Sequence, residues 1–468
     1  NLFRRLFGEG ALTASFIPTY AHSIKHDPKL ARRVASVCVA LLVVVLGLLT
    51  VVGEVILAVI YRLGDWNEDS HLAIRLTMIM LPYMPLICSV ALIGAILQVH
   101  RRFGPPATAP IILNLSIILG TWFAFDGVRG DPGTRHAVVI IGYCVVLGGM
   151  VQLIWQLLPL RDITPFRLNF KGTGAALRSI LSMMLPMLVG LAVFQINAFL
   201  DSLIAFGFSP TGDRGGSMSI LGYAVPHPIQ EDGAVAVLQW SQRLYQFPLG
   251  VFGIAIATAV FPVLAQTAAN VADPRRDAFT RVLRRGLQLT VFIGLPATVG
   301  LIIVRKPLTR LIFQHGAFTS ADVLRVATVL AGYASAVWAY SLTHVVTRAF
   351  YALRDTRRPL VIALWMVLLN LTLNLIFIWP LDVAGLAWST ALCAAMQCLL
   401  LLRAIRHHVP APVDLQVRIS WARTAGLTAV MAVVLIPFVT PAESISTTES
   451  AVHLAVLVLV GVVVFFGG

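Results

Sequence analysis

"RRFGPPATAPIILNLS", residues 101–116, and "RRPLVIALWMVLLNLT", residues 357–372, carry one pattern at two places in a single chain. In each, an arginine pair precedes Leu-Asn-Leu-Ser/Thr, with 13 residues from Arg101 to Asn114 and 13 from Arg357 to Asn370. Gln152 to Arg161 and Gln397 to Arg406 are likewise both nine apart. "RLFGEGALTASFIPTYA" (5–21) is a weaker echo of "RLYQFPLGVFGIAIATAVFPVLA" (243–265), which has six extra residues. Matching segments cross in the same direction, so the halves form a parallel repeat. Repeats of this kind organise transporters around a site near the bilayer midplane.

The composition supports a membrane setting. The chain is 58% hydrophobic, only 12% charged, and has a mean hydropathy of +0.85. A soluble domain carries about 25% charged residues. Apolar runs of about 20 residues, enough to cross the hydrocarbon core, recur from end to end. Read against glycine, proline and charge breaks, they predict 13 helices: 2–23, 34–62, 72–99, 107–126, 136–159, 176–207, 234–268, 283–304, 323–352, 359–379, 384–403, 419–439 and 451–468. The expected architecture is an all-α polytopic membrane protein. An N-lobe over 1–173 and a C-lobe over 174–410 are followed by two extra C-terminal helices over 411–468. The polar, Gly- and Pro-rich stretch 208–233 reads as an exposed insertion loop. Because helix 176–207 precedes the second RL motif and nothing precedes the first, one further helix is expected ahead of Asn1, giving 14 in two six-helix lobes plus two.

The net charge of +14 does not signal nucleic acid, because the basic residues sit in short loops between apolar runs. Six of those loops (24–33, 100–106, 160–178, 269–285, 353–358 and 403–423) hold 22 of the 35 Lys and Arg but six of the 21 acids. That asymmetry places them in the cytoplasm. Arg4, Arg5, Arg243 and Arg348, with Glu9, Glu54 and Asp201, then remain inside apolar runs. A charge at the bilayer centre costs roughly 2.5–3.5 kcal/mol on insertion scales, so such residues need a partner or a wet cavity.

Arg5 and Glu9, four apart, share a helix face and can pair. Arg4 and Arg5 can also be read as helix-end residues that snorkel to the interface. Arg243 lies nine residues into its run, roughly 13 Å deep. That depth favours a cavity role over a structural pair with Asp201. Arginine suits a diphosphate, because its planar fork matches phosphate oxygens and stays charged. Asn370 and Asn374 are four apart; with Asp201 and Thr390 they supply oxygens suited to a hard cation such as Na⁺. Plain interhelical hydrogen bonding, worth about 0.6 kcal/mol per contact, accounts for the same residues. The five cysteines lie in apolar runs without metal-ligand spacing and read as packing. His344 reads as a core histidine. No HExxH, GxSxG or P-loop is present, so an enzyme is not expected.

"NLFRRLFGEGALTASFIP", "PPATAPIILNLSII", "SQRLYQFPLGVFGIAIATAVFP" and "GLAWSTALCAAMQ" resemble the MurJ (MviN) family. These are the lipid II flippases of bacterial cell-wall synthesis, in the multidrug/oligosaccharidyl-lipid/polysaccharide exporter superfamily. The likeness runs in order along nearly the whole chain. It implies two lobes around a cationic cavity in the bacterial inner membrane, working by alternating access, with lipid II as substrate. Membrane lipids and cell-wall synthesis proteins are the other implied partners. Its cavity residues fall on Asn1, Arg4, Arg5, Glu9 and Arg243. A sodium site of some members falls on Asp201, Asn370, Asn374 and Thr390, with Asn374 standing where that pattern has an aspartate. No other cofactor is implied. The alternatives are a flippase for another polyprenyl-linked glycan, a drug exporter, and a non-transporting scaffold, which would have no reason to keep buried arginines.

Overall fold

Asp27 opens the first long helix: its carboxylate accepts from the Lys29 and Leu30 amides at 2.9 and 3.1 Å, and Pro28 stands at the first helical position. That helix, α1, covers Pro28–Leu63. It is followed by α2 (Glu68–Met80), α3 (Tyr83–Val99), α4 (Gly104–Ala124), α5 (Asp131–Leu160) and α6 (Gly174–Phe208). A hairpin of β1 (Ser217–Ile220) and β2 (Tyr223–Pro226) leads to α7 (Ala234–Pro248), a π-helical turn (Leu249–Ile254) and α8 (Ala255–Ala268). Then come α9 (Asp277–Phe313), α10 (Ser320–Ala334), α11 (Val337–Ala352), α12 (Arg357–Leu381), α13 (Val383–Ala404), α14 (Leu415–Leu435) and α15 (Thr447–Gly467). The structure, a computed structural model, describes residues 16–17, 19–20, 23–24, 27–64, 68–124, 131–161, 169–210, 217–220, 223–229, 231–268, 277–353, 355–438 and 447–467.

Among the described residues, ten helical stretches are long and apolar enough to cross a membrane, and the chain is a multi-pass membrane protein. Large apolar side chains lie open on their outer faces, Val44 at 66% and Leu48 at 64% on α1. Such surfaces are stable only against hydrocarbon. Twelve of the 13 apolar runs read from the sequence coincide with helices; the run 2–23 lies largely outside the described residues. Two runs are each interrupted by a short turn, 72–99 at Leu81–Pro82 and 323–352 at Ser335–Ala336. Proline explains the first, since it removes an amide and disfavours helix in the residue before it.

The chain divides into compact units of residues 1–195 and 196–468. In the first, Phe16, Tyr20, Val34, Leu92, Ile96 and Leu160 form the core. The second has one core around Leu238, Leu330, Tyr333 and Leu386, and another around Phe279, Leu287, Val346 and Leu401. A third, with Met431, Leu435 and Leu457, fastens α14 and α15 to α9. Helix α13 starts against the backbone of α12: a Cβ at Gly385 would fall on the Phe377 carbonyl and lie 2.9 Å from the Ile378 nitrogen. Only glycine permits that approach.

The 208–233 stretch is not simply an exposed loop. Ser217 pairs with Pro226 and Ile220 with Tyr223 in an antiparallel hairpin. Beyond it His227, Pro228 and Ile229 are buried, with Ile229 in the core of the second unit. Arg325 on α10 holds the end of the stretch, bonding the Asp232 carbonyl at 3.0 Å and the Glu231 carboxylate at 2.9 Å. The polar composition of the segment hid this anchor.

Candidate functional site

Three helices of the second unit converge on Asp201. On α6, Asp201 is 2% exposed, and on α12 Asn370 and Asn374 are 2% and 0% exposed. Ser389 and Thr390 approach from α13. Positions 370 and 374 are one helical turn apart, which puts both amides on the face of α12 turned away from lipid. The Asn374 amide nitrogen donates to Asp201 Oδ1 at 2.6 Å. Its oxygen accepts from the Ser389 hydroxyl. The Thr390 hydroxyl lies 3.4 Å from Asp201 Oδ2 but 2.8 Å from the Leu386 carbonyl, and its one proton serves the nearer acceptor. All four residues expected from the sequence to form a cation set are therefore together.

Asn197 and Ser389 join them, and the sequence reading missed both. Asn197 is one turn before Asp201, the same spacing that singled out Asn370 and Asn374. That signal was present and unread. The Asn370 nitrogen faces Asp201 Oδ1 at 3.1 Å and Asn197 Oδ1 at 3.0 Å and donates to both, and its oxygen faces the Thr390 amide at 3.2 Å. With a single carboxylate in the set, the site has one negative charge to offer a cation.

Arg243 lies on α7, whose buried residues Ala234, Val237, Leu238, Ser241, Leu244 and Tyr245 follow the helical period. Ser241 bonds the Val326 carbonyl at 3.0 Å, Gln242 bonds the Tyr333 hydroxyl at 3.1 Å, and Tyr245 stacks on Tyr333 with ring centres 5.0 Å apart. These contacts fix the rotation of α7 and leave Arg243 exposed, off the packed face. Among the described residues no carboxylate pairs with it. The alternative of an Arg243–Asp201 pair is not formed, because Asp201 is held by neutral amide and hydroxyl groups. Asn1, Arg4, Arg5 and Glu9 lie outside the described residues.

A family model described as "Lipid II flippase MurJ" matches residues 1–461. A probable lipid II flippase MurJ of Vibrio cholerae is 31% identical over 92% of this chain and 79% of its own length. The lipid II flippase MurJ of Burkholderia cenocepacia is 28% identical over 87% and 75%. Among solved structures, a lipid II flippase MurJ in an inward closed conformation superposes with a TM-score of 0.74 at 22% identity, over 99% of this chain and 88% of that one. An inward-facing multidrug transporter of the MATE family gives 0.71 at 16% identity, over 88% of each chain. At those identities the structural likeness speaks to the fold.

Proposed function

The chain belongs to the MurJ family of lipid II flippases, transporters rather than enzymes, and on that premise we propose how its own residues act. It moves the undecaprenyl-diphosphate-linked peptidoglycan precursor from the inner to the outer leaflet of the bacterial inner membrane by alternating access. Arg243 and Arg5 hold the diphosphate, Arg4 assists, Asn1 hydrogen-bonds the same headgroup, and Glu9 keeps the arginines paired between cycles. The N-lobe comprises residues 1–173, the C-lobe 174–410 and the accessory helix pair 411–468.

The observation that supports this reading is Arg243 itself. It is a permanent charge on a membrane-crossing helix, rotated out of the packed face and given no carboxylate among the described residues. An arginine in that position is costly unless it meets water and an anion in turn. A diphosphate supplies two phosphates for its planar fork, and a cationic drug would be repelled. A scaffold protein would gain nothing from the charge.

The test is twofold. The gene should rescue a bacterium depleted of its own lipid II flippase, and purified protein in vesicles should translocate lipid II. Rescue by the wild type with loss in Arg243→Ala, at equal amounts of folded protein, is expected. Full transport by Arg243→Ala would remove the diphosphate role.

A further inference from the structure

A second polar cleft lies between α9 and α14, remote in sequence from the flippase residues. It is a cleft of about 480 Å³ open to the surface, and its walls include Gln288 and Phe292 of α9 and Gln416, Ser420, Arg423 and Leu427 of α14. Positions 416, 420, 423 and 427 recur at helical spacing, so they form one face of α14. Trp421, beside that face, bonds the Leu287 carbonyl at 3.4 Å and sets the rotation of the helix.

The polar side chains of the cleft are unspent. Arg284, one turn before Gln288, is consumed by Asp414 at 2.8 Å and by the Ala411 carbonyl at 2.7 Å. Asp414 also accepts from the Val417 amide at 2.9 Å. That removes the nearest carboxylate from the cleft. Arg423, Gln288, Gln416 and Ser420 have no partner among the described residues, and no acid lines the walls. Arg423 stands eight residues beyond the start of α14, roughly 12 Å along the axis. Snorkelling alone would leave its donors to water and leave the two amides and the hydroxyl unexplained.

The chemistry is graded along the cleft. Both helices begin on the basic side of the protein, so Gln416, Ser420 and Gln288 come first, and Phe292 and Leu427 lie deeper. We propose that this cleft seats the headgroup phosphate of an anionic glycerophospholipid of the cytoplasmic leaflet on Arg423. The amides and the Ser420 hydroxyl donate to the remaining phosphate and glycerol oxygens. The first methylenes of an acyl chain run over Phe292 and Leu427. Val430, exposed at 54% and three residues beyond Leu427, continues that path along the lipid-facing surface. A soluble anion would use the polar end and waste the apolar one. The proposal rests on the orientation read from the basic loops, but not on the flippase reading: its ligand is a resident lipid, and the transported diphosphate is assigned to other helices.

The experiment uses the full chain in nanodiscs of phosphatidylcholine with and without phosphatidylglycerol, followed by native mass spectrometry of retained lipid. Wild type should retain a single phosphatidylglycerol in preference to phosphatidylcholine. Loss of one charge-assisted contact in Arg423→Gln should weaken retention about tenfold or more. Arg418→Gln, an equal charge change outside the cleft, should not. Ser420→Phe fills the cleft without altering charge and should displace the lipid even if Arg423→Gln does not fold. Neither inorganic phosphate nor undecaprenyl diphosphate should compete. Equal retention by wild type and both cleft variants, or equal retention of the two lipids, overturns the site. Displacement by inorganic phosphate would make it a soluble-anion site, and displacement by undecaprenyl diphosphate would give it to the transported lipid. Either result also overturns the proposal. A protein that fails to flip lipid II yet retains phosphatidylglycerol would refute the flippase mechanism alone.

Discussion

Replacing Asn374 by aspartate sets a second carboxylate against Asp201 where both residues are buried. The Asn374 nitrogen now lies 2.6 Å from Asp201 Oδ1. An aspartate oxygen in its place turns that hydrogen bond into a like-charge contact. At the effective dielectric of about 20 that suits buried sites, two unit charges at such a separation repel by about 6 kcal/mol. Two outcomes relieve that: the pair shares a proton, or it binds a cation. Asn374→Asp should therefore make folding stability depend on sodium. A site saturated a hundredfold above its Kd adds about 2.7 kcal/mol. The assay is thermal unfolding of the purified protein in sodium chloride against equal choline chloride, in wild type and variant. The wild type, whose single carboxylate is already served by the Asn374 amide, should shift little; the variant should shift by several degrees. A sodium shift in the wild type as large as in Asn374→Asp would refute the reasoning. It would mean that the oxygens of Asp201, Asn370, Asn197 and Thr390 hold the ion without a second charge.

Arg243→Lys should retain part of the lipid II transport, since the charge stays and the planar fork is lost, whereas Arg243→Ala should lose about tenfold or more in a flipping assay. Gly385→Ala should destabilise the protein by about 1–3 kcal/mol, the cost of overpacking, read as a lower unfolding temperature in detergent. At the end of α13, His408 Nε2 lies 2.9 Å from Asp355 Oδ2 and 2.6 Å from Arg358 Nη1, and one nitrogen cannot donate to the first and accept from the second at once. Burial pushes the Asp355 carboxyl up, but the His408 hydrogen bond, the Arg358 amide and the neighbouring Arg358 guanidinium outweigh it and hold it below the usual range. A depressed carboxyl stabilises the fold above the unfolded-state value and loses that contribution as pH falls through its own. Asp355→Asn should therefore cost about 1 kcal/mol near neutrality and converge with wild type in acid, as measured by unfolding temperature against pH.

The helical architecture was legible because it is local. Hydrocarbon thickness sets the length of each run, and every backbone amide must be satisfied within its own helix, so apolar runs bounded by Pro, Gly and charge report the spans directly. The arginine–asparagine repeat, with equal spacings in the two halves, gave the expectation of a parallel repeat. The pairing of Asn370 with Asn374 followed from a four-residue spacing on one helix, and Asp201 and Thr390 followed as polar residues of neighbouring apolar runs and again by resemblance.

What the sequence left open depends on contacts between segments far apart in the chain. The hairpin Ser217–Pro226 rests on pairing between its own strands, and the burial of Ile229 comes from packing within the second unit, which local polarity cannot register. Whether Arg243 pairs with Asp201 turned on the rotation of α7, and that is fixed by Gln242 and Tyr245 against Tyr333 on α10. Asn197, Ser389 and the direction of the Asn370 amide emerge only when α6, α12 and α13 meet, because a hydrogen-bond network is defined by direction as well as by proximity. Composition and spacing determined which residues could be functional; the tertiary structure decided which donors face which acceptors, since each buried polar group must find its partner on another helix.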